Sequence, residues 1–158
     1  MKAQAIDGLD PAMALGLAAR RIVAVRAAEL YAFVPEALDE QAVTTMHDMR
    51  IAAKRLRYLL ELVGFCLGDV GAEAQQRARE LQDVLGEIHD SDVMLGRVAH
   101  DYEREPEGFA ALTARFRGER AEQVARFHSL WQEIVESRLR ERLLEHTISS
   151  PRDDAVRA

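Results

Sequence analysis

One run of the sequence places cations at helical spacing: His47, Arg50, Lys54 and Arg57 follow one another at intervals of three, four and three. At about 100° per residue, such positions form a continuous stripe along one side of a helix. Met46, Met49, Ala53, Leu56, Leu60, Val63 and Leu67 run beside the stripe as an apolar seam, and Ile51, Tyr58 and Leu62 lie on its far flank. Apolar residues on both sides draw the charges partly inward, and partly buried charges need partners. Guanidinium donors match phosphate oxygens two at a time, so the chemistry suited to this stripe is recognition of a phosphate polyanion. Arg55 falls on a different side of the same helix.

Two readings of the stripe are open. In the first, carboxylates of neighbouring helices neutralise it inside a helical scaffold whose partner is another protein. Asp92, on one face with Leu85, Ile88 and Leu95, is the candidate carboxylate for Arg50 or Arg57. One acid, however, does not balance four bases. In the second reading the stripe binds an external anion. Arginine also stands where the apolar rhythm of other helices predicts a core residue: Arg26, Arg77, Arg120 and Arg138. Singly, each is a side chain whose stem covers the core while its head reaches water. Together with the stripe they would line one channel, where their mutual repulsion calls for an anion. Glu29 and Glu141 share those faces.

A phosphate-processing enzyme is a third reading, and the sequence offers no residue set for it. There is no Gly-rich phosphate loop, no nucleophile elbow and no zinc-ligand spacing. A di-iron bundle needs Glu-x-x-His, and none of the five histidines has glutamate three residues before it. No cofactor and no metal are expected. His89, Asp90 and Asp92 do not share a helical face and read as a helix end with local hydrogen bonds. His47 lacks a matched base, so its expected role is structural or phosphate-contacting. His100, His128 and His146 lie among charged residues and read as solvated.

The elements that must hold these residues are four long helices. The first is expected from Asp10-Pro11 to about Val34, with Leu15, Ala18, Ile22, Val25 and Phe33 facing the core and Pro35 stopping it. The second starts near Thr44 or Thr45 and runs to about Cys66, before Gly68 and Gly71. The third spans roughly 72–102, with Leu81, Val84, Leu85, Ile88, Leu95 and Ala99 on one face. The fourth runs from about Pro106 to His146 with Phe109, Leu112, Phe116, Phe127, Leu130, Trp131 and Ile134 at helical spacing, and Gly118 marks a place to bend. The fold expected is therefore all-α, an antiparallel four-helix bundle over residues 8–148, followed by a disordered polar tail at 149–158.

The bulk composition limits what such a bundle does. Of 158 residues, 48% are apolar and 30% charged, with nine Gly and four Pro, which suits amphipathic helices. The net charge of −6 argues against wholesale nucleic-acid binding, so a polyanion site must be local. The single cysteine, Cys66, closes no intrachain bridge and fits a reducing compartment. With no hydrophobic leader and no long apolar run, the expectation is a cytoplasmic protein without membrane contact.

The segment Met46-His47-Asp48-Met49-Arg50-Ile51-Ala52-Ala53-Lys54-Arg55-Leu56-Arg57-Tyr58 closely resembles the signature of the CHAD family, the conserved-histidine α-helical domain. Leu81 to Val93, which contains Leu85-Gly86 and the downstream Asp90 and Asp92, looks like the family's second marker. The resemblance implies a helical domain that binds inorganic polyphosphate in a basic cavity, without catalysis, and associates with polyphosphate granules. His47, Arg50, Lys54 and Arg57 would line that cavity, with Arg55 a weaker candidate. Family members generally carry two such bundles in tandem, whereas the motif occurs once here, so a homodimer is the expected way to rebuild the pair.

Overall fold

A computed structural model describes residues 2–102 and 106–148. Among the described residues six α-helices follow one another: α1 Leu15–Ala32, α2 Val34–Ala37, α3 Val43–Val63, α4 Gly68–Tyr102, α5 Pro106–Glu136 and α6 Leu139–Ile148. No strand occurs among the described residues. The four long helices, α1, α3, α4 and α5, pack together as the all-α architecture that the apolar periodicity predicts. The tail expected at 149–158 lies outside the described residues.

The helix α4 is the spine. Its 35 residues span about 52 Å at 1.5 Å per residue, and it packs along both α3 and α5. Both neighbours run antiparallel to it. On the α3 side His47 meets His89, while Arg50, one turn further on, meets Gly86, one turn back. On the α5 side Arg120 meets Asp92 and Arg126 meets Glu87. The core between them holds Met46, Met49, Leu56 and Leu60 from α3, Leu81, Val84, Leu85 and Ile88 from α4, and Val124, Phe127 and Ile134 from α5. Every residue of the predicted α3 seam is buried except Val63, which is half-buried.

A short 3-10 turn, Gly64–Leu67, joins α3 to α4. The helix α4 starts earlier than the expected Ala72, because Gly68 adopts φ +59° and redirects the chain there. Gly71 then lies inside α4, where a Cβ would fall 2.1 Å from the Gly64 carbonyl oxygen. Only glycine permits that approach of turn to helix.

Three expectations about the outer helices are corrected. The helix α1 begins at Leu15, because Asp10 instead accepts the Ala12 amide at 2.7 Å in a local turn. Its buried face is Ala19, Val23, Ala27 and Leu30, whereas Leu15 is exposed and Ile22 and Val25 are half-buried. The sequence of α1 is apolar on most sides, so periodicity alone does not select the face. Pro35 does stop α1, but it does so inside a new single turn, α2.

The fourth predicted helix passes through Gly118 unbroken and ends at Glu136. The chain turns at Arg138, a non-glycine residue at φ 53°, a conformation that disfavours L-residues by roughly 1–2 kcal/mol. The turn folds Leu139 and Leu143 of α6 into the core, which offsets that cost. Beside it, Tyr31 packs edge-on against Trp131 at 5.4 Å. Burial pushes the Tyr31 hydroxyl up to about 12, against the opposing pull of Arg140.

Candidate anion-binding seam

The stripe of α3 lies along its border with α4. His47, Arg50 and Arg57 are half-buried and Lys54 is exposed, so the four form a face open to solvent on one side. The His47 and His89 rings lie 4.8 Å apart, tilted by 32°. His89 is thus in the middle of α4, not at a helix end, although it does make a local contact with Asp90 at 3.4 Å. The guanidinium of Arg57 lies over the Tyr58 ring at 4.3 Å, and the Lys54 ammonium stands 5.9 Å from the same ring. Both contacts fix cations by the negative face of an aromatic ring.

Arg57 reaches one carboxylate, Glu61, at 3.4 Å. Arg50 and Lys54 make no ion pair among the described residues. The Nδ1 of His47, the Nε of Arg50, the Nε of Arg57 and the Oε1 of Gln82 are enclosed without a hydrogen-bond partner. Each such atom costs about 1–3 kcal/mol unless something satisfies it. The Nε2 of His128 and the Nε of Arg142 are enclosed in the same way away from the stripe, so what distinguishes the seam is the gathering of four such atoms on its two helices. Arg55, on another side of α3, is half-buried and engaged within the fold.

The arginines expected from other helices stand elsewhere, each in its own setting. Arg26 pairs with Glu29 at 2.8 Å and donates to the Gln4 carbonyl at 3.1 Å. The buried Glu29 also accepts the Gln4 amide at 2.5 Å. Arg77 pairs with Glu80 at 2.8 Å and Glu133 at 3.1 Å, and the Glu80 hydrogen bond foremost holds its pKa above the usual arginine range. Arg120 donates to Asp92 at 2.5 Å and to the Glu40 carbonyl at 2.7 Å. Asp92, expected to neutralise Arg50 or Arg57, therefore belongs to Arg120. Arg138 is exposed at the turn before α6. Arg26, Arg77 and Arg120 are thus paired with carboxylates, whereas within the stripe only Arg57 has one among the described residues.

Sequence reasoning did not set three residues of the α4 wall beside the stripe: Gln82, Gly86, named only within the family marker, and His89, read as part of a helix end. The signal was present, because they recur at intervals of four and three, facing an antiparallel α3. His128, expected to be solvated, is half-buried against Phe127 at 5.7 Å with its Nε2 enclosed. A hollow of about 630 Å³ lies away from the stripe, between α4 and α5, lined by Leu95, Ala99, Ala110, Thr113, Ala114 and Arg117. Among the described residues no group of three or more metal-ligating side chains comes together, and no helix is long and apolar enough to cross a membrane.

A family model described as "CHAD domain" matches residues 2–99, more than half of the chain. That range holds α1, α2 and α3 and nearly all of α4, including both walls of the seam. No curated protein and no solved structure matches the chain.

Proposed function

The chain belongs to the CHAD domain family, and we propose that its α3–α4 seam binds inorganic polyphosphate without catalysing a reaction on it. The observation that carries this reading is the lack of any carboxylate partner for Arg50 and Lys54 among the described residues, while Arg26, Arg77 and Arg120 have theirs. A phosphate chain supplies what the fold withholds: closely spaced negative oxygens that accept from several guanidinium and imidazole donors at once. His47, Arg50, Lys54 and Arg57 are its contacts, spread over about 15 Å of helix. That length suits a run of phosphoryl groups better than a single orthophosphate. In this reading the protein acts in the cytoplasm, at polyphosphate granules, and as a homodimer that brings two seams together.

Isothermal titration with polyphosphate of defined lengths, at two salt concentrations, tests the proposal. Affinity is expected to rise with chain length and to fall steeply with salt, because each neutralised phosphate releases counterions. Orthophosphate and an acidic polypeptide serve as controls and are expected to bind weakly. A folded protein that takes up no polyphosphate at low salt would leave a helical interaction scaffold instead.

A further inference from the structure

Arg50 reaches its place across a helix position that has no side chain. A Cβ built on Gly86 would have the Arg50 Nε 3.4 Å away and no other atom outside its own helix neighbourhood within 4 Å. At that distance a methyl group would rest against the Nε in ordinary van der Waals contact, and a longer side chain would compete with it for the space. Gly86 sits in the interior of α4, eighteen residues after its start, where glycine weakens a helix relative to alanine. Neither turn geometry nor a positive φ requires glycine at that position. The adjoining turns of the same wall carry Gln82, with an enclosed and unpartnered Oε1, and His89, stacked on His47.

Resting on the polyphosphate reading, we infer that Gly86 is a positioning residue of the site: it is the berth in which the Arg50 guanidinium rests with its Nε against α4. The Nε is enclosed in that berth, while the terminal nitrogens are not among the enclosed, unpartnered atoms. One edge of the guanidinium is thereby fixed against the helix, and the other is left to meet a phosphate. Arginine has a long, flexible stem, and a side chain already held in its bound rotamer loses less freedom on binding. A methyl leaves the guanidinium where it is, whereas a longer side chain at position 86 takes its space and displaces it toward water, where its charge persists but its direction does not. The site therefore has two walls, with cations supplied by α3 and their aim supplied by α4.

The test compares the wild type with Gly86→Ala, Gly86→Leu, Gly86→Met, Arg50→Ala and the Arg50→Ala/Gly86→Leu double variant. Each is titrated with short-chain polyphosphate of one defined length, and its thermal unfolding is followed in the same buffer. Gly86→Ala is expected to unfold at the same or a higher temperature than wild type and to bind within about twofold of it, because a methyl fits beside the Nε. Gly86→Leu and Gly86→Met, whose side chains compete for the guanidinium's space, are expected to bind about fivefold more weakly. With Arg50 already removed, Gly86→Leu is expected to change affinity no further, the non-additivity of residues that act through one another. A folded Gly86→Leu or Gly86→Met that binds as tightly as wild type overturns the inference. Equal losses with and without Arg50 overturn it as well. A wild type that binds no polyphosphate overturns this inference together with the reading beneath it, and is told apart by the wild-type titration alone.

Discussion

Arginines border α4 on both sides, and the two sides treat them differently. Toward α5, Arg120 meets Asp92, Arg126 meets Glu87, and Arg77 of α4 itself meets Glu133. Toward α3, Arg50 and Lys54 meet no carboxylate among the described residues, and Arg57 has Glu61 one turn along its own helix. The first seam is electrically closed. Its charges complete one another, as expected of groups that hold helices in register. The second is left open, with enclosed nitrogens on His47, Arg50 and Arg57 that nothing in the fold satisfies. Arg50 and Lys54 left without carboxylates at one seam, and arginines paired at the other, favour an external ligand at the open seam. The family match covers both walls of the open seam and stops before α5.

The largest effect expected from this contrast is on binding. Replacing Arg50, Lys54 and Arg57 together with Ala is expected to lower polyphosphate affinity by about a hundredfold or more, since three of the four basic side chains of the stripe are lost. The slope of log affinity against log salt is expected to become shallower by roughly 0.7–0.9 for each phosphate contact removed. Urea unfolding of the same variant is expected to show unchanged or slightly increased stability, because the removed cations repel one another. A triple variant that loses several kcal/mol of stability would show that the open seam is closed after all.

The converse substitution lies on the other side of α4. Arg120→Ala leaves Asp92 without its ion pair at a position where both side chains are only 14% exposed. The expected cost is about 2–4 kcal/mol, toward the lower end of what breaking a buried pair entails, since neither group is fully enclosed. Denaturant unfolding measures it. Polyphosphate affinity of the folded variant is expected to stay within about twofold of wild type. A large loss of affinity with intact stability would put Arg120 in the anion site and dissolve the contrast between the seams.

How much of this was legible in the sequence depended on whether a feature belongs to one helix or to two. The α3 seam and its basic stripe are properties of a single amphipathic helix, and Met46, Met49, Ala53, Leu56 and Leu60 are buried as their spacing predicts. The face of α1 was not legible, because Ile22 and Val25 are as apolar as Val23 and Leu30, and only the packing of α3 and α6 against α1 chooses between them. Pairing is a property of two helices. The sequence shows that Asp92 needs a cation, but choosing Arg120 over Arg50 requires knowing that α5 lies against that side of α4. The same holds for Gly86, a weak point in a helix until Arg50 is seen to occupy its space. The break before α6 carries neither Gly nor Pro, and it arises from the burial of Leu139 and Leu143 in the core.

The smallest expected effect separates charge from position within the closed seam. Arg126 and Glu87 form a contact of 2.6 Å, as short as that of Arg120 with Asp92, but with side chains 63% and 44% exposed. Water screens such a pair and competes for both partners, so Arg126→Ala is expected to cost at most about 1 kcal/mol in urea unfolding. Glu87 follows Gly86 directly, and freeing its carboxylate adds a negative charge near the proposed anion path. A step of one residue turns it about 100° around α4, toward α5 and away from the stripe. At physiological salt, screening over about 8 Å further weakens its reach. Affinity for polyphosphate is therefore expected to fall by less than about twofold, with any loss disappearing as salt is raised. A loss of tenfold that persists at high salt would mean that Arg126 touches the ligand, and that the anion path crosses α4 instead of following α3.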